Sequence, residues 1–343
     1  MSSKAKKIFV AMSGGVDSSV AALLLKEKGY DVTGVHMLCW EGCEDNEDKQ
    51  DAMRVAAKLG IPFLVLDFKK EYREAVYNDM VREYAAGRTP NPDVMCNKEI
   101  KFGIFLKKAL EAGADFIATG HYVRLDAMGR KLYAAKDATK DQSYFLWTLT
   151  QDQLKHCLFP IGDYLKSDVR KIALEAGLPT AIKKDSQGLC FVGKVDFGEF
   201  IKESIPKKNG AVILVDGKKI GEHDGAHFYT IGQRHGLNLG GLPKPVFVAK
   251  KDAITNTLVV ARGQDDPILY KKELIAENFN WIGITHLQTP LLARIRYRQP
   301  LQACRIAGDK VIFDQPQRAV APGQSIVFYK ESGEMLGGAI IKE

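Results

Sequence analysis

The apolar and polar positions of the 343-residue chain follow two different patterns, one before and one after about residue 205. In the first part, short apolar runs typical of buried strands alternate with longer segments that have helical spacing. The predicted strands are 8–12, 31–38, 62–66 and 115–118, and the predicted helices are 20–28, 48–59, 70–86 and 96–112. This alternation predicts an α/β fold: a mostly parallel sheet covered on both faces, with the first strand central and ligands bound at the carboxyl ends of the strands.

From residue 206 the chain instead shows short strands separated by turn residues. Residues 211–220 predict a hairpin with Asp216-Gly217 as a type I′ turn, and 246–249 with 257–261 predict a second pair. Later strands are predicted at 291–298, 310–313, 325–329 and 338–341, a spacing that indicates a small barrel. We therefore predict an α/β domain, a small β-rich central domain and a C-terminal β-barrel, with the bounds 1–205, 206–269 and 270–343.

Net charge distinguishes the two parts of the chain. Residues 1–205 hold 30 Lys and Arg against 29 Asp and Glu, whereas residues 206–343 hold 19 against 13. The positive excess in the second part favours contact with a polyanion, although a well-solvated basic surface would give the same count. No apolar run approaches the ~20 residues that span a bilayer, and the first seven residues are not a secretory signal, so we predict a cytoplasmic protein without membrane contact.

The first candidate site is Ser13–Ser18 (Ser-Gly-Gly-Val-Asp-Ser), between the first predicted strand and the first predicted helix. Its glycines allow a sharp turn that exposes N–H groups, and the helix dipole adds to their attraction for phosphate. A simple tight turn is the alternative interpretation. The lysine of a Walker-type loop is missing. The segment instead resembles the pyrophosphate loop of ATP pyrophosphatases, which cleave ATP between its α and β phosphates.

Two of the six cysteines lie in loops rather than in apolar segments. Cys96 follows a proline-rich loop and is expected at or beside a helix start, where the dipole lowers the pKa of a thiol. Asp93 could exchange a proton with a substrate at the same place; a buried cysteine and a capping aspartate are the alternative. Cys190 lies between glycines. These two thiols suggest a working pair, in which one carries sulfur or attacks and the other forms a transient disulfide.

The remaining cysteines carry weaker signals. Cys39 and Cys43 have metal-site spacing near His36, but no second local pair completes four ligands, so no zinc site is predicted. Cys157 and Cys304 lie in apolar contexts and are expected to be packing residues.

Motifs in a fixed order along nearly the whole chain make a resemblance specific. They are Ser13–Ser18, Asn91-Pro92-Asp93 with Cys96, Thr119-Gly120-His121, Lys140–Phe145, Asp185–Cys190, Arg296–Arg298 and Ala321–Gln324. Together they resemble the family of bacterial tRNA-specific 2-thiouridylases, the MnmA type. His121 is also expected at the rim of the active site because it follows a predicted strand.

The resemblance implies an ATP-dependent reaction at the wobble uridine of tRNA. ATP would adenylate the C2 oxygen of the base and release pyrophosphate, with Mg2+ neutralising the departing group. Sulfur from a cysteine persulfide would then replace the activated oxygen and release AMP. The implied partners are tRNAs that accept lysine, glutamate and glutamine, and a cysteine desulfurase or a sulfur-relay protein as the sulfur donor.

The resemblance also assigns roles to residues at matching positions. Cys190 would carry the persulfide, Cys96 would attack it or pair with Cys190, and Asn91, Pro92 and Asp93 would contact the target base. The residues implied to hold ATP are Ala11, Met12, Ser13, Gly14, Gly15, Val16, Asp17, Ser18, Met37 and Gly120. The implied tRNA contacts are His121, Lys140, Asp141, Gln142, Arg296, Tyr297 and Gln324.

Arg294, Arg296 and Arg298 alternate along one predicted strand and are therefore expected to face the same side, along a phosphate backbone. An ordinary basic barrel face is the alternative. The region 39–48 departs from the family pattern, and an iron–sulfur cluster held by two cysteines and Asp93 stays open. Two other functions also stay open: a pyrophosphate-loop synthetase or amidotransferase acting on a small metabolite, and a non-catalytic RNA-binding protein.

Overall fold

A computed structural model gives the structure of residues 5–41, 47–185, 204–237, 239–242, 244–283 and 290–343. Cys43 and the predicted persulfide carrier Cys190 lie outside these residues. Within them, no helix is long and apolar enough to cross a membrane.

The first domain contains a sheet of five parallel strands. They are β1 (Lys7–Ala11), β2 (Asp31–Leu38), β3 (Phe63–Asp67), β4 (Phe116–Ala118) and β7 (Cys157–Leu158). Their order is β3-β2-β1-β4-β7, and every neighbouring pair is parallel. The predicted parallel sheet with a central first strand is confirmed. The chain reverses its winding direction beside β1, where open sheets of this kind form a ligand crevice.

Eight α-helical segments accompany this sheet in the described part of the chain. They are α1 (Val16–Glu27), α2 (Glu47–Leu59), α3 (Lys69–Tyr72), α4 (Asn78–Ala85), α5 (Pro92–Met95), α6 (Leu106–Glu111), α7 (Gln151–Leu154) and α8 (Lys166–Glu175). Wider π-type turns at Arg73–Tyr77 and Cys96–Phe105 make α3 continuous with α4 and α5 continuous with α6. The predicted helices are thus found, but the one expected at 96 begins at Pro92.

Two hydrophobic cores cover the two faces of the sheet, and β1 contributes to both. Ile8 and Val10 pack with α1, α2 and α8 in one core, whereas Phe9 and Ala11 pack in the other with aromatic residues from 68–105. This division follows from the two-residue period of a strand, since successive side chains point to opposite faces. Both faces are covered, as predicted.

The central module is a four-stranded sheet built from two hairpins. Its strands are β8 (Gly210–Leu214), β9 (Lys219–His223), β10 (Val246–Asp252) and β11 (Thr257–Arg262). The strand order is β10-β11-β8-β9, and a parallel pairing of β11 with β8 joins the hairpins. Both predicted hairpins are confirmed.

The type I′ turn predicted at Asp216-Gly217 is wrong. That turn needs positive φ at both residues, and only Gly217, at +86°, has it. Leu214 accepts a hydrogen bond from Gly217 N (2.9 Å) and donates one to Lys218 O (2.9 Å). The loop therefore has three residues and ends on a left-handed glycine.

Six strands form the closed C-terminal barrel. They are β12 (Tyr270–Trp281), β13 (Leu291–Arg294), β14 (Gln302–Ala307), β15 (Lys310–Arg318), β16 (Ser325–Tyr329) and β17 (Glu334–Ile341). Their order is β12-β15-β14-β13-β16-β17, and β12 also pairs with β17. A hairpin of the first domain, β5 (Val123–Leu125) with β6 (Leu132–Ala134), extends this sheet through β17. The predicted barrel is confirmed, and it is joined to the first domain by a shared sheet.

The buried histidines predict acid-sensitive stability. Burial lowers the pKa values of His36, His121, His223 and His227 in the folded chain. Below the ordinary histidine pKa of about 6.5, the unfolded chain therefore binds protons that the folded chain excludes. The free energy of unfolding consequently decreases as the pH is lowered through this value. Urea unfolding should give a free energy at least ~1 kcal/mol lower at pH 5.5 than at pH 7.5. The exposed His235 exchanged for glutamine should leave this difference unchanged, and pH-independent unfolding would contradict the prediction.

Candidate active site

The segment between β1 and α1 is a compact turn held by its own serines. Ser13 N donates to Ser18 Oγ (3.2 Å), and Gly15 N donates to Ser13 Oγ (3.4 Å). The hydroxyls of Ser18 and Ser19 donate to Gly15 O at 3.2 and 2.8 Å. Gly15 begins α1 in an extended conformation without a side-chain cap, so N–H groups of the first helical turn stay available to an anion.

Two positions in or beside this turn have room only for glycine. Gly14 has φ +79°, and a Cβ at this position would lie 2.1 Å from the carbonyl oxygen of Asp48. A Cβ on Gly120, after β4, would lie 2.6 Å from Ser18 N. Met37 is buried near the end of the neighbouring strand β2. The predicted ATP-site positions from three strands thus meet at one edge of the sheet.

Asp17, in the first turn of α1, is held by two residues that the sequence did not indicate. Lys166 Nζ, at the start of α8, donates to both carboxylate oxygens of Asp17 (2.6 and 2.8 Å). Tyr122 Oη donates to Asp17 Oδ1 (2.8 Å). Lys166 Nζ also lies 2.9 Å from Asp185 Oδ1, so a chain of alternating charges runs from the turn to Asp185.

Asp185 accepts hydrogen bonds from several cations at the edge of this turn. Besides Lys166, Lys140 Nζ donates to Oδ2 (2.7 Å) and Arg170 Nη2 to Oδ1 (2.7 Å). Desolvation acts to raise the pKa of the Asp185 carboxyl, but the hydrogen bonds from Lys140 and Lys166 outweigh it and hold this pKa well below its usual range. Asp185 opens the motif that ends at Cys190, and Lys166 links it to Asp17 at the turn between β1 and α1.

The loop that carries Asn91 leads directly into α5. Asn91 is the N-cap residue, and its side chain accepts a hydrogen bond from Val94 N (3.3 Å), while Pro92 occupies the first turn. Asp93 is half-buried and lies in the first turn, where the positive end of the helix dipole favours a carboxylate. Cys96 lies one turn further along, at the start of the π-type segment. Turns of this type occur often at functional sites.

The expectation of a lowered pKa for Cys96 is wrong for this conformation. The thiol is 1% exposed, and desolvation raises its pKa despite the opposing charge of Lys101. The physical reason is that the helix begins four residues earlier than predicted, so Cys96 lies inside the protein rather than at the free N–H groups of the helix end. Cys96 is a protonated thiol here.

His121 is buried in the same region, and its ring has partners within the protein. Its Nδ1 is hydrogen-bonded to Thr119 Oγ1 (2.8 Å), and its ring centre lies 5.9 Å from that of Phe102. Burial, assisted by the nearby charge of Lys101, lowers the pKa of His121 well below 6.5. The ring is therefore neutral at physiological pH.

The segment 140–142 makes intramolecular contacts with each of its side chains. Asp141 is 3% exposed, accepts hydrogen bonds from Ala135 N and Ser143 N (both 3.1 Å), and lies 3.2 Å from Arg294 of the barrel. Gln142 Oε1 accepts from Tyr122 N (2.9 Å). Asp141 thus joins the first domain to the barrel in this structure.

Asp141→Asn tests this structural contribution. The substitution leaves the 8%-exposed Arg294 as an unpaired buried charge, so the free energy of unfolding should fall by about 3 kcal/mol. Denaturant unfolding measures the loss, with the exposed Asp152→Asn as a control that should change stability by less than about 0.5 kcal/mol. Unchanged stability combined with weaker tRNA binding would instead make Asp141 a direct tRNA contact.

The prediction that Arg294, Arg296 and Arg298 share one face of a strand is wrong. The strand ends at Arg294, which turns inward and pairs with Asp141. Arg296 lies beyond it and donates to the carbonyls of Ile231 (2.8 Å) and Ala319 (2.9 Å), and Arg298 has φ +62°. The positive φ breaks the two-residue alternation on which the prediction rested.

The two other barrel residues assigned to tRNA also contact neighbouring parts of the protein. The Tyr297 ring packs against Phe145 with 4.7 Å between ring centres. Gln324 Nε2 donates to the carbonyls of Thr89 (2.8 Å) and Pro90 (3.1 Å). The structure therefore brings Gln324 to the loop of the predicted target-base residues.

Four cysteines lie in the described part of the chain, and all are buried: Cys39, Cys96, Cys157 and Cys304. Burial raises the pKa of Cys304 to about 12 and that of Cys157 further, which agrees with their expected packing role. The residues that the structure describes contain no group of three His, Cys, Asp or Glu side chains that could hold a metal ion.

Comparison with known proteins gives matches along nearly the whole chain. Three family models match in order: a tRNA methyl transferase HUP domain over 6–194, a tRNA methyl transferase PRC-barrel domain over 198–262, and an aminomethyltransferase beta-barrel domain over 271–341. The tRNA-specific 2-thiouridylase MnmA 2 of Geobacillus kaustophilus is 49% identical over 98% of this chain and 95% of its own length. Those of Chlamydia trachomatis and Bacillus subtilis are 47% identical over 98% of this chain, covering 98% and 95% of their own lengths.

Proposed function

The chain belongs to the family of tRNA-specific 2-thiouridylases of the MnmA type, and from that premise we propose how its residues perform the reaction. It is an ATP-dependent tRNA sulfurtransferase that forms 2-thiouridine. The family predicted from the motifs is confirmed. The alternatives of a small-metabolite synthetase and a non-catalytic RNA-binding protein do not agree with these relatives.

ATP is proposed to bind at Ala11–Ser18, with Met37 and Gly120 lining the nucleotide site. The observation that supports this most directly is the turn at Gly14, where backbone N–H groups and the start of α1 converge without a Cβ in the way. Lys166, beside Asp17, adds a positive charge suited to the phosphates. Pyrophosphate would leave from this turn.

Mg2+ is proposed to arrive with the phosphates of ATP rather than on a preformed protein site. Mg2+ usually takes one or two carboxylates together with substrate phosphates. Asp17 is a carboxylate at the turn, but both of its oxygens accept hydrogen bonds from Lys166. The described residues thus offer no carboxylate cluster for this ion, and its chemistry would be to neutralise the departing pyrophosphate.

The target uridine is proposed to contact Asn91, Pro92 and Asp93, splayed out of the anticodon loop. The C2 oxygen of the base attacks the α-phosphorus of ATP, an O–P bond forms, and the bond to pyrophosphate breaks. Asp93 is the proposed acid or base for the N3 proton of the base. Adenylation turns a poor leaving oxygen into a good one.

Sulfur transfer is proposed to use Cys190 as the persulfide carrier and Cys96 as its partner. In one route the terminal persulfide sulfur attacks C2, AMP leaves with the original oxygen, and Cys96 then cleaves the S–S bond. In the other, Cys96 first attacks the persulfide and releases hydrosulfide, which attacks C2. Both routes leave a Cys96–Cys190 disulfide, which an external thiol must reduce. Burial raises the pKa of the Cys96 thiol in this conformation, and its activation is therefore proposed to accompany substrate binding.

The tRNA is proposed to lie along His121, the segment 140–142, Arg296, Tyr297 and Gln324. The proposed domain functions follow: 1–205 binds ATP and catalyses, 206–269 is a central module, and 270–343 contacts tRNA. The proposed acceptors are tRNAs for lysine, glutamate and glutamine, and the proposed sulfur donor is a cysteine desulfurase or a relay protein. An iron–sulfur cluster is not needed for the persulfide route.

A nucleoside assay tests this function. Purified protein, unmodified lysine-accepting tRNA, ATP, Mg2+ and a persulfide source should yield 2-thiouridine, and pyrophosphate release should rise with tRNA but not with amines or small acids. The same tRNA with cytidine at the wobble position is the control and should give neither product. Pyrophosphate release that is independent of tRNA, without thiouridine, would overturn the proposal.

A further inference from the structure

Thr89 lies two residues before Asn91, and hydrogen bonds from the barrel hold the backbone of Thr89 in place. Thr89 N donates to Pro322 O (2.8 Å), and Gln324 Nε2 donates to Thr89 O (2.8 Å) and Pro90 O (3.1 Å). Backbone donors and acceptors are both satisfied from the same turn of the barrel. The barrel therefore fixes the position of the chain at the entrance of the Asn91–Asp93 loop.

The fit between the two segments is tight enough to demand a glycine. Gly323 has φ +90°, and a Cβ there would lie 2.9 Å from N, C and O of Thr89. Two backbones can approach each other this closely only where one of them carries no side chain. The contact is thus a direct backbone-to-backbone apposition.

The central module forms hydrogen bonds with the side chain of Thr89. Lys251 Nζ of β10 donates to Thr89 Oγ1 (3.1 Å) and to Tyr229 O (2.7 Å). Thr89 Oγ1 in turn donates to Thr230 Oγ1 (3.4 Å), and Thr89 is 5% exposed. Burial lowers the pKa of Lys251 to about 8. Withdrawing an ammonium group partly from water is unfavourable, and an apolar side chain could fill the same space without that cost.

The central module and the barrel are themselves linked next to this point. Arg296 of the barrel donates to Ile231 O of the central module (2.8 Å). A Cβ on Gly232 would lie 2.5 Å from the Cβ of Ala319. The two modules therefore hold Thr89 as one unit, from its backbone side and from its hydroxyl side.

We propose that Lys251 is a positioning residue for thiolation, which together with Thr89 sets the loop that receives the target base. The proposal rests on the proposed role of Asn91–Asp93. Prolines 90 and 92 stiffen the chain between Thr89 and the base contacts, so a shift at Thr89 is passed on to Asp93. The ammonium hydrogen bonds of Lys251 point to Thr89 and Tyr229, which favours positioning over direct contact with tRNA.

The test compares Lys251→Met and Thr89→Val with two matched controls. Lys251→Met and Thr89→Val should each lower kcat for 2-thiouridine formation by about 10- to 100-fold and leave the KM for tRNA within about threefold, because misplacement by about 1 Å slows a reaction without removing a binding contact. Thr89→Ser keeps the hydroxyl and should restore kcat to within about threefold. Lys250→Met removes the exposed neighbour in β10 and should leave kcat unchanged.

The effects of Lys251→Met and Thr89→Val on kcat should not add when the two substitutions are combined, since both remove the contact between Lys251 and Thr89. Thermal unfolding of each variant shows that it is folded, and Thr89→Val keeps the test decisive if Lys251→Met does not fold. A raised KM for tRNA with unchanged kcat would make Lys251 a tRNA contact and overturn the proposal, as would wild-type kinetics in both variants. If the unsubstituted protein forms no thiouridine, the proposed function fails instead.

Discussion

Cys96→Ser is expected to abolish 2-thiouridine formation and to leave tRNA-dependent pyrophosphate release intact. Serine fits the buried site of Cys96, so the loop from Asn91 and the proposed ATP-binding turn should keep their shapes. A hydroxyl cannot cleave an S–S bond. The reaction should therefore stop at the adenylated base if Cys96 releases hydrosulfide first, and at a base still joined to Cys190 through sulfur if the persulfide attacks C2 directly. We expect the thiolation rate to fall by about 1,000-fold or more, as when a catalytic nucleophile is removed. Cys190→Ser should stop the reaction at the adenylated base in both routes.

Two other buried cysteines supply the controls. Cys157 donates its thiol hydrogen bond to Gln153 O (3.1 Å), which serine can also make, and Cys304 packs in the barrel core. Cys157→Ser and Cys304→Ala should lower stability while thiolation by the folded protein continues. Thiouridine formed at a normal rate by Cys96→Ser would break the proposed mechanism but keep the enzyme class.

Gly14→Ala should abolish both pyrophosphate release and thiolation. Its Cβ would lie 2.1 Å from the carbonyl oxygen of Asp48, in the first turn of α2, and its φ of +79° adds strain of about 1–2 kcal/mol. The turn must open to relieve the overlap, and the N–H groups then no longer converge on phosphate. We expect at least about a 100-fold loss of tRNA-dependent pyrophosphate release, since one misplaced donor at a reacting group has an effect of this size.

Gly29→Ala separates the effect of the overlap from the effect of backbone strain. Gly29 follows α1 with φ +82°, and nothing lies within 4 Å of a Cβ placed there. This variant should lose about 1 kcal/mol of stability and keep full activity. ATP binding by calorimetry and thermal unfolding check both variants. A Gly14→Ala protein that binds ATP normally would show that the turn is not the nucleotide site.

The sequence predicted the parts of this fold that depend on local patterns. Strand and helix periods were enough to predict the parallel sheet, the central hairpins and the existence of the barrel, and the contiguous residues Ser13–Ser18 were enough to predict the turn between the first strand and the first helix. The sequence did not show correctly which site residues would be buried. The helix of Cys96 begins at Pro92, since a proline is tolerated in the first turn, and this shift buried the thiol and reversed the expected change in its pKa.

Contacts between distant segments could not be predicted from the sequence. Lys166 meets Asp17 across 149 positions, and Lys251 meets Thr89 across 162, with no local pattern to mark either pair. The pairing of β6 with β17, which merges the first domain with the barrel, is likewise a long-range event. Arg294 shows the same limit, because only the folded chain brings it to Asp141.

The most direct test of the central claim follows the C2 oxygen of the target uridine. A lysine-accepting tRNA is prepared with 18O at C2 of the wobble uridine, and the AMP released during a thiolation reaction is examined by mass spectrometry. Adenylation of the base predicts one 18O atom in AMP for each 2-thiouridine formed, because the bond from oxygen to phosphorus persists when sulfur displaces the oxygen from C2. Unlabelled AMP, with the label released to water, would contradict activation of the base by ATP.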